Sequence, residues 1–145
     1  MPTVQEILQE KGGKVHCIEP TATALAATQR MNAERIGALV VTDRGRVAGM
    51  FTERDVLRRI VGEQRDPAKV LVRDVMSTPV ACCEPEMSID DARGVMKNRR
   101  IRHLPVVTKT GELLGLISIG DLNAYDVNGQ QTTIHLLHEY LYGRT

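Results

Sequence analysis

Gly49-Met-Phe-Thr-Glu-Arg-Asp55 and Gly115-Leu-Ile-Ser-Ile-Gly-Asp121 read as two copies of one motif, 66 positions apart. Each runs from a glycine through two apolar residues to a hydroxyl, with an aspartate three residues on. Upstream the correspondence continues at an offset of 65. Pro20-Thr-Ala-Thr-Ala24 falls on Pro85-Glu-Met-Ser-Ile89, and Ala24, Ala27 and Met31 fall on Ile89, Ala92 and Met96. Gly37-Ala-Leu-Val-Val41 falls on Arg102-His-Leu-Pro-Val106, and the following turn is one residue longer in the second copy. Such matches in order, with a single insertion, identify a duplication. Two copies indicate a closed, internally symmetric unit, since an open solenoid needs about three or more repeats.

Each copy predicts the order β-α-β-β-α. A short strand comes first (Val15–Ile18; Val80–Cys83), closed by Glu-Pro. Thr23 and Ser88 are placed to cap a helix, and Asp90 and Asp91 sit in a first turn where the helix dipole favours acids. The i, i+3, i+7 spacing of residues 24, 27, 31 and 89, 92, 96 defines one apolar face on each helix. A buried strand (Ala38–Val41; Leu104–Val107) and a second strand (Val47–Phe51; Leu113–Ile117) form a hairpin across a Gly-containing turn. Each half is too small to cover both faces of its sheet, so the halves are expected to pack sheet against sheet about a pseudo-two-fold axis. The fold class is therefore α/β (α+β). Residues 1–66 form the first repeat with a short N-terminal helix at Val4–Leu8, echoed by Val72–Met76. Residues 67–126 form the second repeat, and Gly62–Pro67 is the best linker. Residues 127–145 form a helical tail with Ile134, Leu137 and Leu141 on one face.

Composition narrows the function. Of 145 residues 19 are basic and 18 acidic, spread along the chain for a net charge of +1, so no arm for nucleic acid or an anionic membrane is present. Aromatic residues make up 3%, with Phe51 the one phenylalanine and no tryptophan, which leaves little for base stacking. No apolar run approaches the roughly 18–20 residues of a bilayer span, and the N-terminus lacks the order of a signal peptide. A soluble, cytoplasmic protein is expected. Cys17, Cys82 and Cys83 are odd in number and suit buried thiols in a reducing compartment.

The run Val72-x-Asp-Val-Met-Ser-x-Pro79 resembles the opening of a cystathionine β-synthase-type (CBS) repeat. Ile36-Gly-Ala-Leu-Val-Val41, Arg102-His-Leu-Pro-Val-Val107 and the two Gly-x-x-(Ser/Thr)-x-x-Asp endings resemble the same repeat. The resemblance covers roughly residues 4 to 125 and is similar to stand-alone bacterial CBS pairs, or Bateman modules. It implies binding of an adenine nucleotide (AMP, ADP or ATP), with NAD or S-adenosylmethionine as alternatives. It also implies a flat homodimer of four repeats and a regulated partner protein that the sequence does not name. No metal is expected beyond magnesium accompanying a polyphosphate.

Thr52 and Ser118 stand where a strand becomes a helix, so a hydroxyl and free backbone N–H groups face one point, which suits a phosphate or ribose oxygen. Asp55 and Asp121 lie one helical turn on, where a carboxylate can accept both ribose hydroxyls. The alternative is that they only complement a helix N-terminus. Cationic partners differ between copies: Arg102 and His103, before Leu104-Pro105, stand where the resemblance implies phosphate contacts in the second site, and Arg54, with Lys14 as a weaker candidate, is the expected phosphate contact in the first. His103 is expected to titrate near the ordinary value of about 6.5. The adenine is expected between Val15 and Ile36 in one site and between Val80 and Leu104 in the other, with backbone near Lys14 and Thr78 reading its edge. Because Gly120 stands opposite Arg54, the two sites should differ in affinity.

Two further readings compete. An enzyme would draw on Cys82 or Cys83 with His16 or His103, or on Asp55 with Asp121. The apolar strand around Cys83 gives a thiolate no support, so no catalytic residue is assigned. A structural dimer module would keep its pockets only as remnants. His135 and His138 in the tail read as solvated rather than as metal ligands.

Overall fold

A computed structural model describes residues 2–126; the apolar stripe and histidines of the tail lie outside them. Helix α1 spans Val4–Lys11, and strand β1 (Cys17–Ile18) leads to helix α2 (Ala24–Glu34). Strands β2 (Ala38–Asp43) and β3 (Arg46–Thr52) follow, and then α3 (Glu53–Asp55), which runs into a π-helical stretch at Val56–Val61. The second half contains α4 (Val72–Val75), α5 (Ile89–Arg99), β4 (His103–Val107), β5 (Leu113–Ser118) and α6 (Ile119–Asp126).

The duplication holds in detail. Thr23 Oγ1 accepts the Ala26 N–H at 3.0 Å, and Ser88 Oγ accepts the Asp91 N–H at 3.0 Å, so each apolar helix starts at its capping hydroxyl. Ala24, Ala27 and Met31 are buried on α2, as are Ile89, Ala92 and Met96 on α5. Both helices end at an arginine in the left-handed region, Arg35 and Arg100, each with φ 56°. The β2–β3 hairpin turns at Arg44-Gly45, both with positive φ, the backbone a tight two-residue hairpin requires.

The two sheets are unequal. Strands β1, β2 and β3 form one sheet, with β1 parallel to β2, whereas among the described residues the second sheet contains only β4 and β5. The strand expected at Val80–Cys83 shrinks to a single parallel bridge from Cys83 to Val106. The reason is Pro105. Its counterpart Val40 donates its N–H to His16 O at 3.1 Å to hold β1, and a proline has no N–H to give.

Strand alternation sorts the side chains. Leu39, Val41 and Phe51 pack under α2 in the first core, and Leu104, Val106 and Ile117 pack under α5 in the second. On the opposite face, Ala38, Val40 and Met50 meet Val80, Leu113 and Leu116, so the halves do pack sheet against sheet. A bond from Leu113 N–H to Gly45 O, 3.1 Å, ties the two hairpins together.

Each short leading helix is exchanged. Val4, Ile7 and Leu8 of α1 belong to the second core, where Val4 N–H donates to Met87 O at 2.9 Å. Val72 and Val75 of α4 belong to the first core, where Val72 N–H donates to Ala22 O at 2.8 Å. Residues 1–66 and 67–126 are thus consecutive in sequence but interleaved in space. A glycine receives each visitor. A Cβ on Gly115 would stand 2.6 Å from Leu8 Cδ2, and one on Gly49 would stand 2.6 Å from Met76 Sδ and 2.9 Å from Ser77 O.

Candidate functional site

Each Gly-x-x-(Ser/Thr)-x-x-Asp motif folds into a reciprocal cap. Asp55 Oδ2 accepts the Thr52 N–H at 2.9 Å while Thr52 Oγ1 accepts the Asp55 N–H at 3.3 Å. Asp121 Oδ2 accepts the Ser118 N–H at 2.8 Å while Ser118 Oγ accepts the Asp121 N–H at 3.1 Å. Two donors that a helix start leaves unpaired are satisfied in each copy.

Beyond the cap, the two carboxylates differ. Asp55 is 3% exposed, its Oδ1 accepts the Ser77 hydroxyl at 2.8 Å, and Arg59 Nε lies 3.7 Å away. Both its oxygens are engaged within the chain. Asp121 keeps 25% of its side chain exposed and meets Lys11 Nζ at 2.7 Å. Lys11 comes from the exchanged helix α1 and also donates to Leu116 O at 2.7 Å. Neither Lys11 nor Ser77 stands out in the sequence, because a lysine in a last helical turn reads simply as a complement to the dipole.

The remaining candidates divide by face. His103 pairs with Ser118 across the hairpin, and the Arg102 carbonyl accepts the Ile119 N–H at 2.9 Å. Burial, helped by the nearby positive charges of Lys11 and Arg102, lowers the His103 pKa below 6.5, against the attraction of Asp121 and Glu53. This corrects the expectation of an ordinary value. Pro105 is buried on the His103 side of β4, and its carbonyl accepts the Cys83 N–H at 2.9 Å. Leu104 points the other way and is fully buried in the second core, so it does not share a slot with Val80. Val15 and Ile36 also separate: Val15 joins the cluster between the sheets, and Ile36 packs against the first core. Lys14 and Arg54 are exposed, and Thr78 Oγ1 donates to Ala48 O at 3.2 Å.

The cysteines sit apart from this chemistry. Burial, reinforced by neighbouring Cys82, pushes the Cys83 thiol up to about 12, far from the thiolate a nucleophile requires. No helix among the described residues is long and apolar enough to cross a membrane.

Residues 4–62 and 72–128 each match the CBS domain. The chain is a member of the CBS domain family. It carries two CBS domains in tandem, as the duplicated motifs implied. It is 35% identical to the CBS domain-containing protein YhcV of Bacillus subtilis over 109 residues, which are 75% of this chain and 76% of that one. Over 104 residues it is 35% identical to protein MK0525 of Methanopyrus kandleri, where the match spans 71% of this chain and 53% of the relative. The CBS pair superposes with a TM-score of 0.82 on a Burkholderia ambifaria protein with CBS domains assigned to signal transduction, at 36% identity, covering 89% of this chain and 96% of that one. A CBS-CP12 protein from bloom-forming cyanobacteria, described as hexameric, matches with a TM-score of 0.72 and 28% identity, covering 83% of this chain and 66% of that one.

Proposed function

We propose that this CBS pair is a non-catalytic regulatory module that binds an adenine nucleotide at its second pocket. The observation that carries the reading is the setting of Asp121: a partly exposed carboxylate 2.7 Å from an ammonium, its charge felt by His103 together with those of Lys11 and Arg102. A carboxylate suits the paired hydroxyls of a ribose, and cations suit the phosphate. The first pocket offers less, because its aspartate is enclosed. One occupied site and one closed site follow from this difference. Signalling then consists of a change in the packing of the second half, and hence of helix α1, when the nucleotide arrives.

Titration calorimetry of the whole chain with AMP, ATP and NAD tests the reading. One binding event per chain, lost in Asp121→Asn and retained in a cap-preserving Asp55→Asn, is expected. Two identical sites, or binding indifferent to Asp121, would refute it. Competition between NAD and AMP distinguishes a dinucleotide ligand sharing the pocket from a mononucleotide.

The module is proposed to act as a homodimer through the helical side of its first half. There Leu57 and Val61 are exposed and flank a groove of about 200 Å3 floored by Met31, Ile36 and Val56. Exposed apolar side chains gathered at one groove mark an association surface, and the hexameric cyanobacterial relative assembles from a similar fold.

A further inference from the structure

Lys11 and Ser77 occupy corresponding places in the two halves, and the comparison assigns Lys11 a role. In the first half Ser77 supplies two donors. Its N–H reaches Met50 O at 2.8 Å, and its hydroxyl reaches Asp55 Oδ1 at 2.8 Å. Leu116 is the counterpart of Met50, and Asp121 that of Asp55. In the second half one group, the Lys11 ammonium, serves both acceptors, at 2.7 Å from Leu116 O and 2.7 Å from Asp121 Oδ2.

The two solutions differ in how firmly they hold. Ser77 is anchored by its backbone, which forms a bridge with Met50 in both directions, and the aspartate beneath it is buried. Lys11 reaches Asp121 through a flexible four-carbon stem, from the last turn of a helix that ends at Gly12, whose φ is 89°. Its side chain is 36% exposed and that of Asp121 is 25% exposed, so water and salt weaken the pair.

We propose that Lys11 is a displaceable latch on the second pocket: it holds Asp121 while the pocket is empty and transfers to the ligand's phosphate when ribose hydroxyls take the carboxylate. This rests on the nucleotide reading above. The ammonium exchanges one carboxylate for a phosphate carrying up to two charges, a stronger partner. The charges acting on neighbouring His103 are the cations Lys11 and Arg102 and the acids Asp121 and Glu53. Because Lys11 ends α1, whose apolar face lies in the second core, its transfer couples the phosphate to that helix.

The test measures AMP and adenosine binding to the full chain by calorimetry, in the wild type, Lys11→Met and Lys11→Arg, with the unfolding midpoint of each variant as a control. In Lys11→Met, AMP binding should weaken about tenfold or more, the loss of one charge-assisted contact. Adenosine binding should be unchanged or tighter, because nothing competes for Asp121. Lys11→Arg should keep the preference of AMP over adenosine. Equal weakening of both ligands would make Lys11 a support for Asp121 and overturn the latch while leaving the nucleotide reading intact. No change in either ligand would do the same. A wild-type chain that binds neither ligand would overturn the nucleotide reading itself, and the latch with it.

Discussion

Leu8 lies so close over Gly115 that a Cβ there would stand 2.6 Å from its Cδ2. The corresponding Gly49 is hemmed in by Met76 Sδ and, at 2.9 Å, by the backbone oxygen of Ser77. A leucine methyl can move aside, but a hydrogen-bonded backbone cannot. Gly49→Ala is therefore expected to destabilise by about 1–3 kcal/mol and Gly115→Ala by less, as overpacking in a shaped core does. Urea unfolding of both variants checks the order, and a larger loss for Gly115→Ala would contradict it.

The exchanged helix should reveal its allegiance when weakened. Ile7→Ala removes a buried side chain from the second core and is expected to cost about 2–5 kcal/mol. Amide exchange should then accelerate most in α5, β4 and β5, not in the adjacent first repeat. Loss of protection centred on β2 and β3 would count against this packing.

Asp55 and Asp121 should fail in different ways. Asp55→Ala leaves the Ser77 hydroxyl and the Thr52 N–H without their acceptor in a buried site, at a cost of about 1–3 kcal/mol. Asp121→Asn gives up only a partly exposed ion pair, worth about 0–1 kcal/mol, so its melting curve should barely move while nucleotide binding disappears. Thermal unfolding alongside calorimetry separates the two behaviours.

His103 makes stability depend on pH. Its folded pKa lies below the unfolded value of about 6.5, so the unfolded chain takes up the proton first as pH falls. The contribution is fully present above about 6.5 and is lost as pH drops from there through the lower, folded value. His103→Gln should flatten this part of the stability profile, measured as denaturant midpoints between about pH 5 and 7.5. An unchanged slope would show that another group carries it.

Leu57→Asp and Val61→Asp place charge on the proposed association face while leaving both cores intact. Sedimentation should show the dimer giving way to monomer with an unaltered unfolding midpoint. A wild-type chain that is already monomeric would remove the proposal.

Much of the architecture was legible because repetition and periodicity are local signals. Thr23 and Ser88 cap as read, and the faces at Ala24, Ala27, Met31 and Ile89, Ala92, Met96 are buried as read. An apolar stripe announces that it will be covered but not by what, so the exchange of Val4–Lys11 and Val72–Val75 was not visible. Leu104 and Val106 form a buried row with no mark to distinguish the core side from the cleft side. The narrowing of the strand before Glu84 depended on one missing N–H at Pro105, twenty-odd residues away. At the candidate site the motif carboxylates were evident. What separates them comes from the exchanged segments, where Ser77 closes one and Lys11 meets the other.

The exchange also sets a timetable for synthesis. Glu6 of α1 accepts a hydrogen bond from the Tyr125 hydroxyl, 119 positions further along the chain. At about 5–20 residues per second, this apolar segment waits several seconds after its synthesis for the surface that covers it. The first half, by contrast, needs only α4 to finish its core, so it is complete while α5 to α6 are still being made. A nascent chain of this protein therefore carries α1 without its full cover until α5, β4 and β5 have emerged, which leaves its apolar face open to a chaperone for that interval.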